Sequence, residues 1–271
     1  MGVMLKQLDN WPVDLVSAAV VSGGKVIETL GDTEHVYVLA SVTKLLAAHA
    51  VLVAIEEGAI ELDQPAGPPG STVRHLLAHA SGLDFGSREV VAAAGEQRIY
   101  SSAGFEVLAE LIEAEADIRF DEYLAQAVCE PLGMTSTTLQ GSAGHGAQSS
   151  VADLAAFAGE LLAPKLVSAE LFAEATSVQF PGLDGFVPGY GKHRPCDWGL
   201  GYEIRSHKSP HWTGSHNSPG TFGHFGQTGT FLWVDPTLTA ACVVLTDRPF
   251  GAWAKPLWSE YNDSVVAALS R

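Results

Sequence analysis

Ser41-Val42-Thr43-Lys44 places a serine three residues ahead of a lysine, at the boundary between two apolar segments. Residues 36–40 before it are apolar and partly β-branched, which is typical of a short strand. Residues 45–55 after it contain no Asp, Glu, Lys or Arg, which predicts a helix buried on nearly every face. Because residues three apart share one face of a helix, we expect the Lys44 amine to lie directly above the Ser41 hydroxyl.

This pair has the chemistry of a nucleophile and its base. A serine hydroxyl is a weak nucleophile until an adjacent base takes its proton. A lysine in an apolar helix has its pKa lowered by desolvation, so it can accept a proton near neutral pH. The backbone N–H groups at a helix N-terminus also favour developing negative charge. The alternative, a capping serine followed by a solvated lysine, fits poorly here, because burying a lone ammonium costs several kcal/mol.

Composition narrows the class of protein. A chain of 271 residues forms one sizeable domain or two smaller ones. With 46% hydrophobic and 17% charged residues, it is typical of an ordered globular protein. Its formal charge of −16, from 15 basic and 31 acidic residues, argues against nucleic acid or an anionic membrane as a partner.

The cysteines and the N-terminal sequence bear on cellular location. Cys129, Cys196 and Cys242 are far apart and odd in number, so they predict neither a metal site nor a disulfide framework. The first ten residues lack an apolar run behind a basic head, and no stretch has the length of a membrane span. We therefore expect a cytoplasmic protein.

The order of predicted elements indicates an α/β fold. Strands are predicted at both ends of the chain, over residues 16–21, 25–30, 199–204, 229–234 and 238–245, with a Gly23-Gly24 hairpin turn between the first two. Helices are predicted between them, over residues 72–82, 101–116, 119–129 and 151–162, and a last helix over 255–269. This pattern predicts an α/β domain from residues 1–57 and 198–271, and an inserted helical region over 58–197.

Tyr100-Ser101-Ser102, just ahead of a predicted helix, is a second candidate for chemistry. Tyr100 can supply a phenol, whose pKa a nearby lysine cation would lower, and Ser102 can orient the lysine or a substrate amide. The alternative is that a serine caps the helix while Tyr100 only packs.

Gly223-His224-Phe225-Gly226-Gln227-Thr228-Gly229 is a third candidate, because it leads into a predicted strand. Glycines allow close approach of backbone to a ligand. The Gln227 N–H can then face an oxyanion while His224 faces the site. The alternative is a glycine-rich hairpin with an incidental histidine.

His75 and His79 share a helix face, as the two histidines of a helical zinc site do. Leu76 stands where that motif has its glutamate, so we predict no metal and a structural role for His79. The sequence also lacks a phosphate-binding loop and a GxSxG motif, which disfavours an α/β-hydrolase.

Taken together, Ser41-x-x-Lys44, Tyr100-Ser101-Ser102 and His224-x-Gly226, in this order, resemble the serine β-lactamase and penicillin-binding protein superfamily. Within that superfamily, the chain resembles the class C branch and its esterase relatives. The resemblance covers nearly the whole chain. It also extends to three further segments, residues 72–83, 131–134 and 222–236. It implies an antiparallel sheet flanked by helices, a small-molecule ester or amide substrate, and no metal or organic cofactor.

The resemblance also implies roles for individual residues. Ser41 is then the acylated nucleophile, Lys44 its base, and Tyr100 the proton shuttle. The N–H groups of Ser41 and Gln227, the latter next to Gly226, form the oxyanion hole.

Two residues depart from the pattern of penicillin-recognising members. His224 stands where those members carry lysine, and Ser102 where they carry asparagine. Both departures disfavour β-lactams and favour esters.

We therefore predict a serine hydrolase, first of carboxylic esters, then of D-amino-acid amides or peptides, then of β-lactams. Two alternatives of another kind stay open: a non-catalytic scaffold or covalent binder, and a zinc hydrolase sensitive to chelators. The sequence predicts no oligomeric state. Phe186, Tyr190, Trp198 and Trp212 are the aromatic residues that we expect to line the pocket.

Overall fold

The main sheet of the computed structural model, which describes residues 4–270, takes its strands from both ends of the chain. The strands in chain order are β1 (Val16–Ser22), β2 (Lys25–Leu30), β3 (Tyr37–Val38), β4 (Thr138–Leu139), β5 (Ala147–Ser149), β6 (Gly185–Val187), β7 (Gly191–His193), β8 (Glu203–Ile204), β9 (Phe222–Gly226), β10 (Thr230–Asp235) and β11 (Ala240–Thr246). Six of them form an antiparallel sheet in the order β2-β1-β11-β10-β9-β8. The predicted fold class is confirmed.

The two ends of the chain meet where β1 pairs with β11. Their register runs from Val16 opposite Thr246 to Ser22 opposite Ala240. The predicted hairpin between β1 and β2 is present, and Gly23 and Gly24 both have the left-handed φ that such a turn requires. The sheet therefore closes around residues that are more than 200 positions apart in sequence.

Helices pack on both faces of this sheet. They are α1 (Thr43–Glu56), α2 (Val73–Leu77), α3 (Ala103–Ala116), α4 (Phe120–Leu124), α5 (Glu130–Leu132), α6 (Val151–Leu162), α7 (Ala169–Ala175) and α8 (Ala254–Leu269). A π-helical turn over Ala125–Cys129 joins α4 to α5. In the described part of the chain, no helix is both long and apolar enough to cross a membrane.

Side chains that alternate in direction along the central strands explain the two apolar layers, one on each face of the sheet. On β11, Val243 and Leu245 point into the layer that contains α1 and α6, while Val244 points into the layer that contains α8. Successive side chains of a strand face opposite sides, so a strand covered on both faces is apolar throughout. This is why β11 has no polar residue before Thr246.

Two predicted elements are shorter than expected. The helix predicted over 72–82 ends at Leu77, because His79 has a left-handed φ of +55° that no helix can continue. The strand predicted over 199–204 contains only Glu203–Ile204. Gly201, with a φ of +86°, instead donates its N–H to the Leu77 carbonyl.

A buried arginine ties the inserted helices to the loop that precedes β8. Arg98 donates to the carbonyls of Ala78 (2.6 Å), Gln179 (2.7 Å) and Cys196 (3.0 Å). These bonds satisfy carbonyls that would otherwise be buried without a partner.

The predicted division of the chain into an α/β domain and an inserted helical region, with boundaries at residues 57/58 and 197/198, stays a prediction. Residues 1–3 and 271, which belong to the predicted α/β domain, lie outside the described residues.

Candidate active site

Ser41 lies in a single 3-10 turn, Ala40–Val42, between β3 and α1. Ala40, immediately before it, has a φ of +46°, a left-handed conformation that is strained for an alanine. Strain of this kind persists where the surrounding structure holds the backbone in place, and it is concentrated at functional sites. The turn leaves Ser41 half-buried at the start of a buried helix.

Tyr100 is the residue that contacts the Ser41 side chain. Its hydroxyl donates a hydrogen bond of 2.7 Å to Ser41 Oγ, across 59 positions of sequence. The two segments that the sequence singled out are therefore in contact.

Lys44 is fully buried beside this pair, but its hydrogen bonds go elsewhere. Its Nζ donates to Ser102 Oγ (3.0 Å) and to the Gly144 carbonyl (2.8 Å), and lies 4.6 Å from the centre of the Tyr100 ring. Among residues 4–270, no hydrogen bond joins Lys44 to Ser41. Ser102 and Gly144 therefore hold the amine in this structure, and its placement above the Ser41 hydroxyl stays a prediction.

Burial lowers the pKa of the Lys44 amine to about 7, and the charge of Glu106 opposes that shift only partly. The predicted direction is therefore confirmed, since desolvation disfavours the charged form of an amine. Near neutral pH a large share of Lys44 is uncharged and able to accept a proton.

The pKa of Tyr100 moves in the opposite direction from the one that we expected. Burial raises it well above its usual value, and the hydrogen bond to Ser41 opposes this only partly. A lysine with a pKa of about 7 carries little positive charge in mildly alkaline solution, so it does little to stabilise a phenolate. Tyr100 is therefore a hydrogen-bond donor in this structure.

The loop that carries Tyr100 is fixed from behind by His79. The Ser101 N–H donates to His79 Nδ1 (3.1 Å), so the neutral imidazole carries its proton on Nε2. The imidazole also packs 4.8 Å from the Tyr100 ring. Ser101 Oγ donates to the Asp84 carbonyl (2.6 Å) and accepts from the Gly104 N–H (3.1 Å). Ser101 therefore caps α3, and His79 has the structural role that we predicted.

His224 on β9 is buried against the Tyr100 ring, with 5.6 Å between the ring centres. Its Nδ1 lies 2.6 Å from the Phe225 carbonyl, an acceptor, so Nδ1 carries the proton and Nε2 a lone pair. Burial, followed by the nearby Lys44 charge, lowers the pKa of His224 to about 3. The imidazole is therefore neutral at physiological pH, and Nε2 has no partner among the described side chains.

The end of β9 lies against the turn that carries Ser41. A side chain at Gly226 would place its Cβ 2.2 Å from the Leu39 carbonyl oxygen, so glycine is required for this approach. Two threonines that follow it donate to the same segment, Thr228 to the Val38 carbonyl (2.7 Å) and Thr230 to the Leu39 carbonyl (2.9 Å). Gln227 lies between Gly226 and Thr228, in an exposed hairpin beside the turn.

Of the four aromatic residues expected in the pocket, Phe186 is found there. It lines a cavity of about 280 Å³ beside Tyr100, together with Phe85 and Ile99. Trp198 and Trp212 are buried, and Tyr190 lines a different cavity. These three do not line this cavity, because the two tryptophans are buried in the core and Tyr190 lines the other cavity.

The remaining candidates have other surroundings. His75 pairs with the Thr72 hydroxyl (2.9 Å) and packs on Phe180. Cys129, Cys196 and Cys242 are buried free thiols. In the described residues, no group of three or more His, Cys, Asp or Glu side chains is arranged to hold a metal ion.

The sequence did not indicate that the Gly144 carbonyl is a partner of Lys44, or that Phe85 lines the cavity beside Tyr100. Gly144 is in a segment rich in Gly, Ser and His, but no local pattern indicates that its carbonyl faces a lysine 100 positions away. A side chain on Gly144 would come within 3.0 Å of Ser102 Cβ, so the close approach depends on this glycine.

Comparison with known proteins identifies the family of this chain. The Beta-lactamase family model matches residues 15–267. A crystal structure of a β-lactamase from Mycobacterium bovis is 58% identical, with a TM-score of 0.98, over 99% of this chain and 100% of that one. A hydrolase with promiscuous acyltransferase activity shares the fold at 17% identity, with a TM-score of 0.80, over 97% of this chain and 96% of that one.

A shorter match links the chain to a protein of Salmonella enteritidis PT4 (strain P125109) named as a D-alanyl-D-alanine carboxypeptidase. The two are 38% identical over 76 residues, which is 27% of this chain and 18% of that protein. The family model, by contrast, spans nearly the whole chain and includes every candidate residue described above. This chain belongs to the Beta-lactamase family of hydrolases.

Proposed function

We propose that the protein is a serine hydrolase that works through an acyl-enzyme on Ser41, with carboxylic esters as its preferred substrates. The observation that carries this proposal is the Tyr100–Ser41 hydrogen bond of 2.7 Å beside a buried lysine whose pKa is about 7. A nucleophile, a proton donor and a neutral amine are the groups that acyl transfer needs at one place.

In the proposed reaction, Ser41 Oγ attacks the ester carbonyl, and its proton passes to the neutral Lys44 amine. Lys44 reaches it by a side-chain movement away from Ser102, since catalytic hydrogen bonds often form only when substrate is bound. The N–H groups of Ser41 and Gln227 stabilise the oxyanion. The carbon–oxygen bond of the leaving group then breaks, Tyr100 donates its hydroxyl proton to the departing alcohol, and the protonated Lys44 amine returns a proton to Tyr100. Water hydrolyses the acyl-enzyme by the same steps in reverse.

The chemistry of His224 favours esters over β-lactams. A neutral imidazole with a free lone pair on Nε2 offers no positive charge to the carboxylate of a penicillin, whereas an ammonium would. Ser102 Oγ, which accepts from Lys44, is also shorter than an asparagine amide and already has a partner. An uncharged ester needs neither a positive charge from residue 224 nor an asparagine amide from residue 102.

β-Lactam hydrolysis is the second candidate, because the Mycobacterium bovis relative at 58% identity is named a β-lactamase. D-Amino-acid peptides rank between the two, and the Salmonella match supports them over a short segment. Parallel assays with p-nitrophenyl acetate, p-nitrophenyl butyrate, a D-alanyl-D-alanine peptide and nitrocefin separate these substrates. We expect the highest kcat/KM for the esters. Faster turnover of nitrocefin would reverse the order, and one burst without turnover would favour a covalent binder.

Activity should rise with pH as Lys44 loses its proton. Because the charged amine cannot accept the Ser41 proton, kcat/KM for p-nitrophenyl butyrate should be low at pH 5 and reach a plateau above an apparent pKa of about 7. His224, with a pKa of about 3, stays neutral over this range and adds no second step. The measurement is kcat/KM from pH 5 to 9, corrected for spontaneous hydrolysis. A profile that falls through pH 7 would contradict the assignment of Lys44 as base.

Phe186 should select substrates with larger apolar acyl groups. Its side chain is 61% exposed and lines the cavity beside Tyr100, so truncation removes apolar contact without opening the core. We expect Phe186→Ala to lower kcat/KM for p-nitrophenyl butyrate about tenfold, and that for the acetate much less. Ile27→Ala, an exposed apolar residue on β2, is the matched control and should change neither. Equal losses on both esters would show that Phe186 does not contact the acyl group.

A further inference from the structure

A second cavity, of about 530 Å³, is lined by none of the proposed catalytic residues. Its walls come from the turn between β6 and β7, the segment after β8, and the start of α8. The lining residues with polar side chains include Tyr190, Arg205, Lys208, His211, Lys255 and Ser259. The volume is within the range of roughly 300–1,000 Å³ that is usual for small-molecule sites.

The charge of this cavity is opposite to that of the protein. Three of the 15 basic residues line it, and none of its described lining residues is one of the 31 acidic residues. Lys208 is paired with Glu203, so Arg205 and Lys255 are the cations that a ligand in the cavity would meet, in a chain whose net charge is −16. A concave site of one sign concentrates ligands of the opposite sign.

Arg205 provides a fixed positive charge at this site. Its guanidinium donates to three backbone carbonyls, those of Ser206 (3.0 Å), Gly214 (3.0 Å) and Ser215 (3.2 Å). Carbonyl oxygens are uncharged, so these bonds orient the guanidinium; the carboxylates of Asp263, Glu203 and Asp235 act on its charge but do not line the cavity. A guanidinium has five N–H donors, and two therefore remain for a ligand.

Lys255 and Tyr190 add two further donors. Lys255 is exposed, its Nζ lies 5.7 Å from the centre of the Tyr190 ring, and it forms no ion pair within the described residues. Tyr190 is 93% buried, and its hydroxyl has no hydrogen-bond partner among the described residues. Because a buried hydroxyl without a partner is unfavourable, a small movement of the cavity wall that exposes it would favour contact with an oxygen acceptor.

The carboxylates near this cavity have hydrogen-bond partners of their own and are not among its lining residues. Glu203 accepts from Lys208, from His211 Nε2 (2.8 Å) and from Trp212 Nε1 (2.8 Å), so these residues form a neutral, rigid wall. The nearby carboxylate of Asp263 accepts from Ser215 Oγ (2.8 Å) and the His216 N–H (2.7 Å). The lining cations that form no ion pair within the described residues are therefore Arg205 and Lys255.

We propose that this cavity binds a phosphate group, either free or as part of a small phosphorylated molecule, through Arg205, Lys255 and Tyr190. A guanidinium, an ammonium and a phenol are good donors to the oxygens of a phosphate. The volume leaves room for an organic group next to it. The site is independent of Ser41, so it stands or falls separately from the proposed hydrolase activity.

Calorimetric titration of the full chain carrying Ser41→Ala tests this proposal, with inorganic phosphate, phenyl phosphate and neutral phenol at low ionic strength. We expect at least one of the two phosphates to bind and phenol not to bind. If phenyl phosphate binds more tightly, the ligand is a phosphorylated molecule; equal affinities indicate free phosphate. Failure of both phosphates to bind would overturn the proposal.

Two variants locate the binding. Lys255→Ala should weaken phosphate binding about tenfold, the scale of one charge-assisted hydrogen bond. Tyr190→Phe, which keeps the ring and removes only the hydroxyl, should weaken it severalfold. Lys25→Ala on β2 removes the same charge from an exposed position elsewhere and should have no effect. An equal loss with Lys25→Ala would show that the phosphate responds to overall charge and would refute the site.

Discussion

Replacement of Ser41 by alanine should abolish ester hydrolysis, lowering kcat for p-nitrophenyl butyrate by about 10⁴-fold or more. The physical reason lies in the placement of its hydroxyl. Ser41 follows a strained Ala40 at the start of a buried helix, and receives the Tyr100 hydrogen bond. Without Oγ there is no atom to carry the acyl group, so both chemical steps are lost together.

Labelling with a fluorophosphonate probe provides the second measurement for this variant. Wild-type protein should be labelled on the peptide that contains Ser41, as identified by mass spectrometry, and Ser41→Ala should not be labelled. Ser102→Ala is the matched control: it removes a neighbouring serine hydroxyl that contacts Lys44, and it should retain labelling at Ser41. Stoichiometric labelling of Ser41→Ala would place the nucleophile elsewhere.

Replacement of Lys44 by methionine should separate activity from stability. Methionine is similar in length and apolar, so it fills the space without the amine. We expect kcat/KM to fall by at least about 100-fold, the scale of a lost general base. We expect the melting temperature to be unchanged or raised, because the wild-type protein buries an ammonium group at a cost.

The difference in stability between wild type and Lys44→Met should change with pH in one direction. The pKa of Lys44 is about 7 in the folded protein and 10.5 when unperturbed, so the unfolded chain binds the proton more tightly. The stability of the wild-type protein therefore increases from pH 7 towards pH 10.5 through this group. The gain in stability of Lys44→Met over wild type should be largest below pH 7 and should become smaller above it.

Melting temperatures of wild type and Lys44→Met at pH 6 and pH 9 measure this difference. Lys25→Met, on an exposed part of β2, is the control for loss of a lysine without loss of burial, and should show no such trend. If Lys44→Met kept wild-type kcat/KM, Lys44 could not be the base, whatever its effect on stability.

The sequence predicted the candidate residues better than their contacts. Ser41-x-x-Lys44 stands out at the start of an apolar helix, and Tyr100 in a loop just ahead of another helix. The burial that lowers the pKa of Lys44 is visible in the eleven residues after it, since none is Asp, Glu, Lys or Arg. The expected effect of Lys44 on Tyr100 was wrong, because the same burial raises the pKa of the phenol.

The two-ended sheet was also readable in the sequence, because alternation and turn residues are local properties of a strand. The sequence did not predict where the shorter helices and strands end. Helix α2 stops at Leu77 through the left-handed backbone of His79, and that conformation is held by the Ser101 N–H and by rings from distant segments.

Local sequence thus determined the strand and helix types, the buried lysine and the identity of the candidate nucleophile, because hydrophobic periodicity and side-chain chemistry are carried by neighbouring residues. Tertiary structure alone decided that Lys44 bonds to Ser102 and Gly144, that His224 presents a neutral lone pair, and that Phe186 faces the cavity while Tyr190 does not. Each of these depends on a contact between segments far apart in the chain. Their relative positions are fixed only when the sheet closes and the loops pack around it.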